Sequence, residues 1–164
     1  MLDEATNRFW VDHFKSSRLG AKITVVQKSF AGHREVAEFM AQADCGVFPT
    51  RAEGWNLELL EMMALGKTVI ATDYAGHTEF ANAENTLLIQ VQDTDDAFDG
   101  LRFRGQGRWA RLGSDQLEQL VTHLRAVHRR KQSGGLAKNS AGIATARKFS
   151  WENSASHLVA NLVR

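Results

Sequence analysis

The stretch from Pro49 to Ala71 constrains this chain more than any other, because it reads as a strand end, a glycine turn, a short helix and a second strand. Cys45 to Pro49 is a short continuous apolar run, the kind that a parallel sheet buries on both faces. Pro49, the single proline, falls where such a strand must end. Glu53-Gly54-Trp55-Asn56 follows as the turn, with Asn56 a good helix N-cap. From Leu57 to Leu65 apolar residues occupy nearly every direction around a helix, which should therefore be buried on most sides. Gly66 closes that helix, and Thr68 to Thr72 reads as the next strand.

The polar residues inside this helix are Glu58 and Glu61, three apart and so neighbours on one edge. A carboxylate there is costly unless something hydrogen-bonds or neutralises it. Glu53 lies in the loop just before the helix, where Gly54 frees the backbone and the helix start aims amides outward. Two carboxylates flanking a glycine turn and a helix N-terminus point to a polar, anion-bearing ligand.

Around this core the chain alternates strand and helix. Residues 3 to 18 read as a helix with Ala5, Phe9, Trp10, His13 and Phe14 on an apolar face, and Lys22 to Gln27 as a strand rich in β-branched residues. A helix is expected over His33 to Ala43, a loop with one helical turn over Tyr74 to Asn85, and a last strand over Thr86 to Val91. Such alternation predicts an α/β fold: a Rossmann-like parallel sheet with helices on both faces. Asp93 to Gly113 breaks the pattern with four glycines, four arginines, Phe98, Phe103 and Trp109, and reads as an ordered surface excursion. Arginines 102, 104, 108 and 111 form a solvated basic face or meet an acidic partner. Helices are then expected from Ser114 or Asp115, over Leu136 to Lys148, and from a Ser150 cap onward, the last with Trp151, Ala155, Leu158 and Leu162 in one stripe.

At 164 residues a single domain, 1–164, is expected. A net charge of +1 offers nothing to attract nucleic acid or a membrane surface. One cysteine excludes an internal disulfide, and a reducing cytoplasm is the simplest location. No apolar stretch approaches the roughly 20 residues needed to span a bilayer. No signal peptide pattern opens the sequence.

The central stretch resembles the donor-binding, C-terminal half of retaining GT-B glycosyltransferases of group 1. Glu53 and Glu61 stand in their Glu-x7-Glu spacing, within Ala43-Asp44-Cys45-Gly46-Val47-Phe48-Pro49-Thr50, Glu53-Gly54-Trp55-Asn56-Leu57, Leu60-Glu61-Met62-Met63-Ala64-Leu65-Gly66-Lys67 and Val69-Ile70-Ala71-Thr72. The resemblance covers about residues 22 to 92, and Phe149-Ser150-Trp151-Glu152 loosely. A subset of the family has a segment similar to the Asp-Gly and Gly-x-Gly-x-Trp-Ala pattern of the excursion.

By this resemblance the chain binds a nucleotide-diphosphate sugar and takes part in its transfer with retention, needing no cofactor and no metal. Glu61 is then expected to accept hydrogen bonds from the ribose hydroxyls, the alternative being a structural ion pair. Glu53 is expected to meet the donor sugar beside the reacting carbon, the alternative being a loop carboxylate in water. Gly54, Trp55, Asn56 and Leu57 are expected to offer backbone amides to phosphates or sugar. Trp55, a phenylalanine in most relatives, reads as packing, and most relatives carry a second glycine at Asn56. His33 and His77 are cleft-lining candidates, the alternative being a surface residue or a helix cap. The family's first two strands, its arginine–lysine pair for the diphosphate and its acceptor-binding half lie outside this sequence, so a fragment of a longer enzyme is expected. Rival readings are a nucleotide- or sugar-binding module without catalysis, and a sugar-nucleotide epimerase of GT-B shape.

Overall fold

The computed structural model describes residues 4–27 and 29–162, in two compact units, Met1–His33 and Arg34–Arg164. In the first unit, helix α1 spans Glu4–Lys15, and Phe9, Trp10, His13 and Phe14 form a run of ring contacts along it. The helix was expected over 3 to 18; residue 3 lies outside the described residues, and the last residues of that range form turns. Lys22 to Gln27 is not a strand. Lys22 ends a 3-10 turn, Gly20–Lys22, and residues 23–27 have no regular structure. Ile23 and Val26 are 38% and 42% exposed, so β-branched residues without a neighbouring ladder and a covered face do not suffice for a strand.

The second unit is built on a parallel sheet of β1 (Cys45–Phe48), β2 (Thr68–Thr72) and β3 (Leu87–Ile89), in that order. Helices α2 (His33–Ala41) and α3 (Leu57–Ala64) precede and follow β1. Strand β2 is the centre, and its alternating side chains divide the core. Val69 and Ala71 join Leu59, Leu60, Met62 and Met63 of α3, with Phe80 and Ala81, on one face. Ile70 joins Ile89 of β3 and Val127 of helix α4 (Ser114–Gln132) on the other. Helices therefore cover both faces, as the alternation requires. Strand β1 is not buried on both faces: it forms the sheet edge, and Val47 is 39% exposed.

Helix α3 is buried less than its composition suggests. Leu59 and Met63 are fully buried, but Leu57 is 60% exposed, and Glu58, Glu61 and Ala64 share its open flank. The edge drawn through the two glutamates is therefore the one left uncovered. Helix α4 begins one residue earlier than a Ser114 cap implies, since Gln116 Oε1 accepts the Gly113 amide at 3.0 Å. Helix α5 (Ser140–Lys148) is capped by Asn139, which accepts from Gly142 N. Helix α6 (Trp151–Leu162) is capped by Ser150 as expected, yet Trp151, Leu158 and Leu162 of its apolar stripe are exposed.

The excursion at 93–113 is an antiparallel hairpin, β4 (Thr94–Phe98) and β5 (Arg104–Ala110). Two of its four arginines are turned onto its own carboxylates: Arg108 pairs with Asp96, and Arg111 with Asp93 and Asp95. At the tip, Asp99 Oδ1 accepts the amides of Leu101, Arg102 and Phe103. The Arg111 hydrogen bond, with the charges of Arg111, Arg51 and Arg108, holds the Asp95 carboxyl below its ordinary value. A lowered carboxylate contributes stability above its ordinary range and loses it as pH falls through the lowered value.

Burial, and then the adjacent Asp44 charge, push the Cys45 thiol up from 9.0 to about 11. Because only the thiolate reacts, alkylation of Cys45 at pH 8 should run about a hundredfold slower in the native chain than in urea. Mass spectrometry of timed iodoacetamide samples checks this. Leu59→Ala should cost about 2–5 kcal/mol. Leu57→Ala, one residue pair away on the open flank, should stay within about 0.5 kcal/mol by thermal melt.

Candidate functional site

Ligands of open α/β sheets bind beyond the carboxyl ends of the strands. Here those ends carry the loop 49–56 after β1, the turn 73–79 after β2, and the hairpin after β3. An apolar cavity of about 440 Å³ lies there, bounded by Pro49, Thr72 and Ile89 at the strand ends and by Leu112, Leu117 and Leu120. A larger cavity of about 510 Å³, with Lys67, Lys131, Lys138 and Asp44 in its walls, sits at the opposite ends of the strands. Size alone does not select the site; the unmet polar groups do.

The Glu53 loop is fastened at successive residues. Thr72 donates its hydroxyl to Thr50 O at 2.7 Å. Arg51 O accepts the Ala110 amide at 2.8 Å, while Arg51 Nε donates to Ala110 O at 2.9 Å and its terminal nitrogen to Asp95 at 2.8 Å. The same guanidinium lies 5.2 Å from the Trp109 ring centre. Gly76 N donates to Glu53 O at 3.1 Å, and a Cβ at Gly76 would overlap the Gly54 carbonyl, so only glycine permits that approach.

Asn56 caps α3 as expected, its Oδ1 accepting Leu59 N at 3.2 Å. It does so in the left-handed conformation, φ 64°, where asparagine and glycine are the tolerated residues. That geometry is one asparagine tolerates nearly as glycine does. Of the first-turn amides, which lack intrahelical acceptors, the cap takes one. Trp55 packs, with ring centres 5.2 Å from Phe80 and 5.3 Å from Phe149, so its side chain belongs to an aromatic cluster that also anchors the Phe149 segment.

His77 is neither a surface residue nor a cap. It is fully buried, with Nε2 2.6 Å from Thr72 O. A carbonyl can only accept, so Nε2 donates to it, and Nδ1 is left without a partner among the described residues. His33 is exposed at the first residue of α2. Glu53 and Glu61 are half-buried, and among the described residues neither carboxylate has a hydrogen-bond or ion-pair partner. The structural ion pair considered for Glu61 thus has no partner among them.

Unmet polar atoms concentrate at this end of the sheet. Among the described residues, the buried side-chain atoms without a partner are Thr50 Oγ1, Asn56 Nδ2 and His77 Nδ1. Among the described residues, the two non-glycine residues with positive φ are Asn56 and Ala75. Ala75, at φ 74° and ψ −162°, occupies a region that is essentially glycine's and costs about 1–3 kcal/mol. Sequence reasoning missed Thr50, Arg51, Thr72, Ala75 and Gly76. Gly76 in a turn after a strand was the one available signal; the rest depend on partners far along the chain.

An open parallel sheet with strain and unpaired polar atoms gathered at its carboxyl ends defines a Rossmann-like α/β domain with its candidate site at those ends. A family model described as glycosyl transferases group 1 matches residues 13–102, more than half of the chain. The chain belongs to that family and is a glycosyltransferase domain. No curated protein gives a significant match.

Two substitutions separate cap from strain. Asn56→Ala loses the cap bond and the short polar side chain that makes left-handed backbone tolerable, and should cost about 2–3 kcal/mol. Asn56→Gly loses only the cap bond and should cost under about 1 kcal/mol. Ala75→Gly should be neutral or stabilising by about 1 kcal/mol. Urea titrations of the three variants check all of this.

Proposed function

We propose that this chain is the donor-binding domain of a retaining glycosyltransferase, of hexosyltransferase type, that uses a nucleotide-diphosphate sugar. The observation that carries the reading is the free pair of carboxylates, Glu53 in the fastened loop and Glu61 on the open flank of α3, beside buried polar atoms that lack partners. Buried polar groups in native proteins are almost always hydrogen-bonded, so a cluster of unmet ones is where a polar ligand gains most. Family membership supplies the reaction class.

In this reading Glu61 accepts the ribose hydroxyls in charge-assisted hydrogen bonds. Glu53 accepts hydroxyls of the donor sugar and orients its anomeric carbon, the role closest to the chemistry. The backbone from Gly54 to Leu57, at the positive end of α3, faces the phosphates and helps neutralise the diphosphate as it leaves. His77 holds the turn opposite the loop, and its unpartnered Nδ1 is open to the ligand. His33 is a further cleft-lining candidate on sequence grounds, and a nucleotide-dependent shift of its ring resonances would test it. No metal or other cofactor takes part.

The acceptor, a sugar or glycan, is held by an N-terminal half outside this sequence, and the pathway is polysaccharide or glycoconjugate synthesis in the cytoplasm. The isolated 164 residues should therefore bind donor without transferring sugar. No helix among the described residues is long and apolar enough to cross a membrane.

Glu61→Gln tests the assignment. It keeps the shape but weakens hydrogen bonds to a charged acceptor, worth about 1.5–3 kcal/mol. Affinity for nucleoside diphosphates should fall by about tenfold or more, since about 1.4 kcal/mol is one decade. Stability should hold or rise, because an unpaired, half-buried carboxylate is removed. Calorimetric titration beside thermal melts reads both, and unchanged binding with a lowered melting temperature would overturn the ribose role.

A further inference from the structure

We propose that Arg51 is a positioning residue: through it the β4–β5 hairpin grips the loop that carries Glu53 and holds that carboxylate against the donor sugar. The inference rests on the reading of Glu53 as the sugar-facing residue and adds the part that sets its position.

The geometry is that of a clamp. Arg51 is two residues from Glu53, and its backbone and side chain both bind the hairpin's last residue, Ala110, in a closed pair of hydrogen bonds. Its remaining guanidinium edge takes Asp95 of the opposite strand, so one side chain spans both strands of the hairpin. Trp109 lies against its face. Asp95 is in turn held by Arg111, and Tyr74, in the turn after β2, donates its hydroxyl to Arg108 O at 3.0 Å. On the far side of Glu53 the loop is fastened to Gly76. The backbone on both sides of Glu53 is therefore immobilised while its carboxylate is left without a partner.

This division of labour is what a positioning device requires. A loop residue that must meet hydroxyls to within a few tenths of an ångström loses rate or affinity when its backbone drifts by about 1 Å, by as much as a hundredfold. Glycine at 54 cannot supply that rigidity, since glycine is the most permissive residue in the chain. Nor can lysine replace Arg51, because it lacks the planar fork that serves Ala110 O and Asp95 together. The hairpin also has contacts of its own that do not involve Arg51: its ladder, the Arg108–Asp96 pair and the Arg111 pairs.

The experiment uses the full chain and three donor probes, UDP-glucose, GDP-mannose and ADP-glucose, each titrated beside its own nucleoside diphosphate. Arg51→Ala, Glu53→Gln, Asp95→Asn and the Arg51→Ala/Glu53→Gln double variant are compared with the unaltered chain. Arg51→Ala should weaken the bound nucleotide sugar by about tenfold and its nucleoside diphosphate by less than about twofold. The double variant should bind no more weakly than Glu53→Gln alone, because both changes remove the same sugar contact. Amide exchange over residues 50–54 should quicken in Arg51→Ala while that of β2 stays unchanged. Asp95→Asn, a milder change, should reproduce the pattern in part and serves if Arg51→Ala does not fold. Equal losses for sugar and diphosphate, additive effects in the double variant, or unaltered exchange over 50–54 would each overturn the clamp. Failure of the unaltered chain to bind any probe would instead overturn the nucleotide-sugar reading, and the positioning role with it.

Discussion

Strand β2 leaves no face for water, and the second unit depends on that. Val69 and Ala71 commit one side to α3, while Ile70 commits the other to α4 and Ile89. With both sides taken, its amides and carbonyls are met by β1 and β3 in parallel register. A parallel pair needs a crossover between its strands, and α3 is that crossover. The loop that leads into α3 is thereby forced to the carboxyl end of the sheet, where Glu53 stands. The position of the site follows from how the core is filled.

At that end the packing logic changes. The core is satisfied by apolar contact, whereas the strand ends hold buried polar atoms without partners and an alanine in backbone that suits glycine. Such features cost stability, and they persist because the surrounding hydrogen bonds over-determine them. Thr72 to Thr50, Ala110 to Arg51 and Gly76 to Glu53 are those bonds. The site is rigid in its backbone and unmet in its side chains, a combination suited to a ligand rather than to folding alone. Membership in the glycosyl transferases group 1 family gives that ligand its chemical setting.

The hairpin shows how a surface feature becomes part of a site. Read as sequence, its arginines look like a basic face, because charge counts along a segment do not reveal who faces whom. In the fold Arg108 and Arg111 meet Asp93, Asp95 and Asp96, and Arg51, from another loop, links the hairpin to the sheet's carboxyl end. The positive charge is spent on anchoring.

The sequence by itself determined the parallel α/β class, the helix at Leu57, its Asn56 cap and the edge that Glu58 and Glu61 share. These are local properties: apolar runs, helical spacing and capping chemistry act between residues a few positions apart. Only the tertiary structure decided that Lys22 to Gln27 is not a strand, that β1 is an edge, that His77 is buried with one nitrogen unmet, and that Ala75 is strained. It also decided that Arg51 belongs to Asp95 and Ala110, forty-four and fifty-nine residues away. The physical reason is the same in each case. Whether a strand forms, a ring is buried or a charge is paired depends on what long-range packing brings alongside, and neighbours in sequence carry no record of it.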